Sequence, residues 1–387
     1  MRDFTNHIWP GPHQTGQEEI DNLLTALSSP DWSHTDLCSK FERNFASFIG
    51  TEFALLVPSG TAAIYLALIA AGIQEGQEVI IPGLTWPSVV YAIVKAGGVP
   101  RTVDISADTL CIDKYTLEGS HTDRTFAVLA THLFGSQCDM HQIHQYARQT
   151  GIVVIEDSAQ SIGSIQSGKS CGTWGSVGIY SFNDRKVLAC GEGGCIVTNS
   201  QDTYQQLKYL QLIQPNRATA PLSLPGTYKI SEFQAAVALG QLSKLKDRLH
   251  LMSERASVLA NCISEFTGGV AIPQTQPSCV DVQSYYNFAF LVKGHPEIQE
   301  FRLKLSKNLN FKAAAPYNPL SDVADFQPLQ KHHRSTVYQN LQIEHPNCQN
   351  AFENECVRFA HNILLSDEGT IRDVAETIAI TLTETMR

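Results

Sequence analysis

Between residues 53 and 200, short apolar runs alternate with amphipathic stretches, and that alternation restricts the fold more than anything else in the chain. FALLVPS, EVIIPG, FAVLATHLFG, GIVVIED, SVGIYSF and GCIVTN read as buried strands, several of them ending in Gly, Ser or Asp. Between two of them, DMHQIHQYARQTG reads as a helix with Asp139 as N-cap and Gly151 just past its end. Strands separated by helices predict an α/β fold around a doubly wound, mostly parallel sheet. No internal repeat or low-complexity tract interrupts the pattern.

From Ser231 the segment SEFQAAVALGQLSKLKDRLHLMSERASVLANCI keeps helical periodicity for more than about eight turns. Ser231 is its expected N-cap. A helix of this length suits the join between a large domain and a smaller one, so residues 1–245 are assigned to the first and 246–387 to the second. In the second, YYNFAFLV reads as a strand, PEIQEFRLKLSKNL as a helix and IRDVAETIAITLTETM as a final helix. IPQTQPS and PYNPLSDVADFQP read as loops. The whole chain of 387 residues is long enough for both cores.

The 38 acidic residues outnumber the 28 basic ones, giving a net charge of −10. That argues against a general nucleic-acid binder, which carries a basic face, and leaves room only for a local basic pocket. The opening stretch MRDFTNHIWPGPHQTGQEEI has no apolar segment of a secretory signal, and no apolar run approaches the ~18 residues of a membrane span. Ten scattered cysteines without a CxxC pair are expected to be reduced thiols. A cytoplasmic location follows as the expectation.

In parallel α/β sheets, ligands bind beyond the carboxyl ends of the strands. Four clusters fall there. Ser59-Gly60-Thr61-Ala62 opens the helical run AAIYLALIAAG, where free N–H groups and the positive helix end suit a phosphate. Alone, the turn reads equally well as a simple N-cap by Ser59 or Thr61. Asp157 ends GIVVIED, where a desolvated carboxylate needs hydrogen bonds or a cation such as a protonated pyridine nitrogen. A structural N-cap is the plainer alternative. Glu156 should point to the opposite side of the sheet.

The third cluster, Ser181-Phe182-Asn183-Asp184-Arg185-Lys186, follows SVGIY and brings a lysine to the same rim as Asp157. A partly desolvated lysine loses basicity and forms imines. A lone lysine is more often a solvated charge, so the weight rests on its neighbours. The fourth is Gly191-Glu192-Gly193-Gly194, which is not GxGxxG. Its glycines are expected to let backbone pass close beside the lysine. Trp86 in GLTWPSV offers either a flat face for an aromatic cofactor or a packed loop anchor. His141 and His144 lack a third ligand, so no metal is expected. His332-His333 reads as a solvated loop. No GxSxG elbow supports serine hydrolysis.

Taken together, the chain resembles the DegT–StrS family of sugar and aminocyclitol aminotransferases, a branch of the fold-type I pyridoxal-phosphate enzymes. The resemblance covers nearly the whole chain: PSGTAAIYLAL, EVIIPGLTWPSVVYAIVKAGGVPRTVDI, HLFGSQCDM, VIEDSAQSIGS, GTWGSVGIYSFNDRKVLACGEGG, SEFQAAVALGQL and PYNPL. EDSAQ combined with SF-x-x-x-K and GEGG is its most specific part. The resemblance implies a fold-type I architecture with pyridoxal 5′-phosphate as cofactor. Lys186 would be the Schiff-base lysine, Asp157 the partner of the pyridinium nitrogen, and Trp86 the stacking aromatic. Gln160 would lie near the phenolic oxygen, and Gly60, Thr61, Ala62 and Ser181 would cradle the phosphate.

It also implies a homodimer whose second subunit completes each site, through a segment like NYRMSE. Here that segment is Thr227-Tyr228-Lys229-Ile230-Ser231-Glu232, with Thr227 in place of asparagine and Lys229 in place of arginine. Both replacements still donate hydrogen bonds. Lys186 argues against the dehydratase branch, which carries histidine there. The implied reaction moves an amino group from glutamate or glutamine to a ketone on a sugar or cyclitol. FQAA and PYNPLSD look closer to members acting on carbocycles. A pyridoxal-phosphate-dependent elimination or aromatisation of a cyclic ketone, or a binding regulator without turnover, are the alternatives.

Overall fold

The computed structural model describes residues 15–212, 225–324, 326 and 335–386. All six runs singled out in the sequence are strands. The main sheet joins β1 (Phe53–Val57), β2 (Glu78–Pro82), β3 (Val99–Val103), β4 (Thr125–Thr131), β5 (Val153–Asp157), β8 (Val177–Ser181) and β9 (Gly194–Thr198) in the order β1-β9-β8-β5-β4-β2-β3. The neighbours β3, β2, β4, β5 and β8 run parallel, while β9 is antiparallel to both β1 and β8. Between β5 and β8 lies a short hairpin of β6 (Ile165–Gln166) and β7 (Lys169–Ser170).

Helices α1 (Gln17–Ser28) and α2 (Asp36–Ile49) precede β1. Helix α3 (Gly60–Ala71) links β1 to β2, and α4 (Ser88–Lys95) links β2 to β3. The single turn α5 (Lys114–Leu117) comes next, then α6 (Met140–Thr150), which begins at Asp139, whose side chain accepts from the Gln142 amide, and ends at left-handed Gly151. Helix α7 (Gln201–Gln211) follows β9.

Ser231 caps the next helix as expected, its hydroxyl accepting from the Gln234 amide. The predicted single long helix is instead two, α8 (Glu232–Ser243) and α9 (Leu245–Phe266), parted at Lys244. The cause is tertiary: Lys244 Nζ is drawn 2.5 Å from Glu19 of α1, a buried carboxylate that also accepts from Gln241 of α8. Apolar residues line both halves, so periodicity alone carries straight through the break.

Beyond α9, β10 (Ala271–Pro273), β12 (Asn287–Val292) and β13 (Cys356–Ala360) form an antiparallel sheet packed by α9, α10 (Ile298–Leu309) and α13 (Glu368–Thr385). Ile272 and Pro273, expected in a loop, therefore lie in a strand. Strand β11 (Val280–Val282) instead pairs with β6, completing a separate three-stranded sheet in the order β11-β6-β7. Helices α11 (Ser335–Leu341) and α12 (Pro346–Asn350) lie between α10 and β13. Leu320–Asp322 of the expected loop forms a 3-10 turn, and His332 and His333 lie outside the described residues. All ten cysteines are free. No described helix is long and apolar enough to cross a membrane.

Candidate active site

Strand periodicity places the rim of the site. Leu129, Ile155 and Ile179 face one side of the sheet in an apolar cluster shared with Ala63, Ile64 and Ala67 of α3. Two residues further along β4, β5 and β8, the same face presents Thr131, Asp157 and Ser181, with Thr131 in register with Asp157. Glu156 turns to the other face, as expected. There it accepts from His132 Nε2 and from the amides of Gly172, Trp174 and Gly175.

The first turn of α3 arrives beside Ser181. Ser59 does cap the helix, its hydroxyl accepting from the Ala62 amide at 3.1 Å and its carbonyl from the Ala63 amide. The N–H groups of Gly60 and Thr61 have no intrahelical acceptor by the geometry of a helix start. A Cβ on Gly60 would lie 2.9 Å from the Ser181 Cβ, so only glycine lets the turn sit on that serine undistorted. A Cβ on Gly194 would meet the Ser59 carbonyl at 2.6 Å. Of the glycines after the lysine loop, Gly194 thus makes room for this turn, and a Cβ on Gly193 would meet Cys190 Sγ at 2.8 Å and Phe182 Cβ at 3.4 Å.

Asp157 is buried, with Oδ1 accepting from the Ala159 amide at 3.1 Å. Burial raises its pKa, opposed by that bond and by the charge of Lys186. Lys186 stands on the loop leaving β8, its own amide bonded to the Asn183 carbonyl. Burial lowers its pKa to about 8, against the opposing pull of Asp157. The two groups therefore sense each other's charge across the rim. The lysine retains some contact with solvent although protein surrounds it on most sides.

Trp86 is 55% exposed, with its edge against Tyr317, ring centres 5.4 Å apart. Gln160 is buried, and its Oε1 accepts from the Phe134 amide, which leaves the NH2 as the donor. Four residues that sequence reasoning did not single out complete the cleft. Phe134 sits at φ 63°, an uncommon backbone for an aromatic residue, next to Gly135. A Cβ on Gly135 would collide with the Ser284 carbonyl, so this glycine lets the segment before β12 lie directly on the loop after β4.

That contact delivers Tyr286, over whose ring Lys186 Nζ sits 4.1 Å from the centre. Tyr317 stands 5.6 Å from Phe134, and its pKa is pushed well up, chiefly by burial and then by neighbouring Tyr286. The Arg358 guanidinium lies 5.3 Å from the Tyr317 ring and 5.5 Å from Phe134, while bonding Ala315 O and Asn287 Oδ1. The only sequence signals were HLFG, with its glycine, and the tyrosine of PYNPL.

Thr227 is exposed, and the amide of neighbouring Tyr228 donates to Gln211 of α7. The Tyr228 ring meets Tyr65 of α3 and Lys95 of α4. Among the described residues, no hydrogen bond joins Thr227 or Lys229 to Asp157, Lys186 or the first turn of α3. His141 bonds Ser167 and lies edge-on to Trp174, and the described residues hold no metal-ligating cluster.

The DegT/DnrJ/EryC1/StrS aminotransferase family matches residues 13–375. The chain belongs to that family. It is 30% identical over 400 residues to an L-glutamine:2-deoxy-scyllo-inosose aminotransferase from Streptoalloteichus tenebrarius, covering 96% of this chain and 93% of that one. It is 32% identical over 303 residues to a GDP-perosamine synthase from Escherichia coli O157:H7, covering 77% and 81% respectively. A crystal structure of 3-amino-5-hydroxybenzoic acid synthase superposes with a TM-score of 0.86 at 27% identity, covering 97% of this chain and 99% of that one. This member of the family is thus a fold-type I aminotransferase.

Proposed function

We propose that this aminotransferase uses pyridoxal 5′-phosphate to move an amino group from glutamate or glutamine to a ketone on a cyclitol or sugar. The observation that carries the reading is Lys186, an amine with lowered basicity, facing the buried carboxylate of Asp157 beside the first turn of α3. The residues fit the cofactor. The Gly60 and Thr61 amides and the Ser181 hydroxyl suit its phosphate, and a Cβ on Gly60 would fill that cradle. Asp157, buried with one hydrogen bond, suits a cationic ring nitrogen, and Trp86 presents an open face. When bound, the cofactor supplies an electron sink for the carbon that loses its proton.

The chain's own residues hold charge and move protons. Asp157 would hold the cofactor's ring nitrogen and favour its positive form. Lys186 Nζ, with its pKa near 8, is partly neutral at neutral pH and both takes and returns a proton there. Gln160, fixed by Phe134, offers its NH2 to the phenolic oxygen, and Ala62 closes the phosphate turn. Sugar and cyclitol acceptors are those that the relatives' names give. We further propose a division into residues 1–245 and 246–387 at the Lys244 break, and a homodimer in which Thr227 and Lys229 reach the partner's site.

Half-reactions test the reading. The loaded enzyme, given L-glutamine or L-glutamate and no acceptor, is expected to convert its cofactor to the amine form with stoichiometric keto acid. Borohydride reduction of the resting loaded enzyme, before any donor is added, should label Lys186 alone. If no amino donor produces that form while a cyclic ketone loses water, elimination replaces transamination.

A further inference from the structure

Lys186 Nζ does not lie between the rim carboxylate and open solvent; it rests over the face of the Tyr286 ring, 4.1 Å from its centre. Tyr286 is not a casual neighbour. The Asn287 amide beside it donates to Phe134 O at 3.3 Å, and Ser284, two residues before it, seats on Gly135. Tyr286 lies close enough to Tyr317 for the two phenols to influence each other's charge, and Tyr317 is itself wedged against Trp86, Phe134 and Arg358. The ring therefore has one orientation, fixed from both lobes of the chain.

Two effects compete at Nζ. Burial favours the neutral amine. A phenol ring favours the ammonium, because the negative face of its quadrupole attracts a cation more strongly as water is excluded. Asp157 on β5 acts in the same sense as the ring. Asp184 and Arg185 on the lysine's own loop are exposed to solvent, so the groups facing Nζ are Asp157, Tyr286 and, behind it, Tyr317.

A lysine that serves both as attachment point and as proton carrier must spend part of each turnover free. We propose that the Tyr286 ring is the resting place of the free Lys186 ammonium and sets how readily it gives up its proton, making Tyr286 a positioning residue of the reaction. This rests on the proposed role of Lys186. The ring holds the charged amine at the rim by its face alone, adding to the pull of Asp157 without a second anion in direct contact.

The test is competitive acylation of the cofactor-free protein with acetic anhydride between pH 6 and 10. The Lys186 peptide is quantified against exposed Lys312 by mass spectrometry. Wild type and Tyr286→Phe, which keeps the ring, should titrate together. Tyr286→Leu should titrate about 0.5–1 unit lower, giving roughly 2.5- to 5.5-fold more neutral amine at pH 7 from a wild-type value of about 8. Tyr286→Met serves if the leucine variant does not fold. The loaded variants should show the same displacement in the pH profile of the donor half-reaction.

If Leu and Met titrate with wild type, the proposal is wrong. If Phe moves as far as Leu, the Tyr286 hydroxyl sets the basicity and the ring does not, and the proposal is wrong. Borohydride labelling of another lysine would remove Lys186 as attachment point without altering the acylation result, so the two failures are separable.

Discussion

The His132 ring donates from Nε2 to Glu156 at 3.1 Å, because its other nitrogen is already spoken for by the Cys138 amide, which points at Nδ1 from 3.1 Å. The carboxylate favours a second proton on the ring, but the inward-pointing N–H leaves no place for one. Glu156 is itself fully buried and accepts three further backbone N–H bonds from the loop ahead of β8. The pair thus fixes the loop behind the rim while its neighbours in sequence, Thr131 and Asp157, face the site.

Glu156→Gln places an NH2 against at least one of those donors. We expect it to cost about 2–4 kcal/mol, the range for orphaning groups in a buried polar network. Chemical denaturation of the cofactor-free protein measures this. Unchanged stability would mean that the loop is held by something other than this carboxylate.

Asp157 should behave in the opposite way. Burial raises its pKa, so at neutral pH the cofactor-free fold pays to keep it ionised. In sign terms, a raised carboxyl pKa means the folded state binds more protons, and stability falls as pH climbs from the unfolded carboxyl pKa through the folded one. Asp157→Asn can still accept from the Ala159 amide and removes that penalty. It should be at least as stable as wild type at pH 7 without cofactor, and lose this advantage toward pH 4. Turnover of the loaded enzyme should fall by orders of magnitude, since a neutral amide does not keep the ring nitrogen charged. A variant that turns over normally would sink the assignment.

Gly60→Ala tests the phosphate cradle. The added Cβ would stand 2.9 Å from the Ser181 Cβ and push the turn off its seat. Cofactor affinity, followed by fluorescence titration, should weaken at least about tenfold, equivalent to ~1.4 kcal/mol. Gly60→Ala with Ser181→Gly relieves the contact and should recover part of that loss. Equal affinity in wild type and Gly60→Ala would place the phosphate elsewhere.

The legible parts of the molecule share a physical cause. FALLVPS or GIVVIED is apolar on both faces because the strand is buried on both, and each ends where the chain must turn, so Asp157, Ser181 and Lys186 were readable from local sequence. The break at Lys244 was not, because it answers to Glu19, more than two hundred residues away. Tyr286, Tyr317 and Arg358 were also hidden. Each lies in the C-terminal part of the chain, where only the tyrosine of PYNPL belonged to a motif, and each reaches the site only through tertiary contacts such as Ser284 on Gly135.

The remaining prediction concerns Thr227 and Lys229, which one chain alone does not bring to its own lysine. Thr227 is exposed and Lys229 half-buried, while the Tyr228 ring between them meets Tyr65 and Lys95, which holds the segment against α3 and α4. If Thr227 and Lys229 serve a partner's phosphate, Lys186→Ala and Lys229→Ala damage different sites of a two-fold dimer. A hybrid dimer then carries one site with both lesions and one with neither. Mixing the two inactive variants under exchange conditions should restore up to roughly a quarter of wild-type activity, as random pairing about a two-fold axis dictates. Two results would defeat the idea: no recovery in a mixture shown by mass to contain hybrids, or a fully active enzyme that sediments as a monomer.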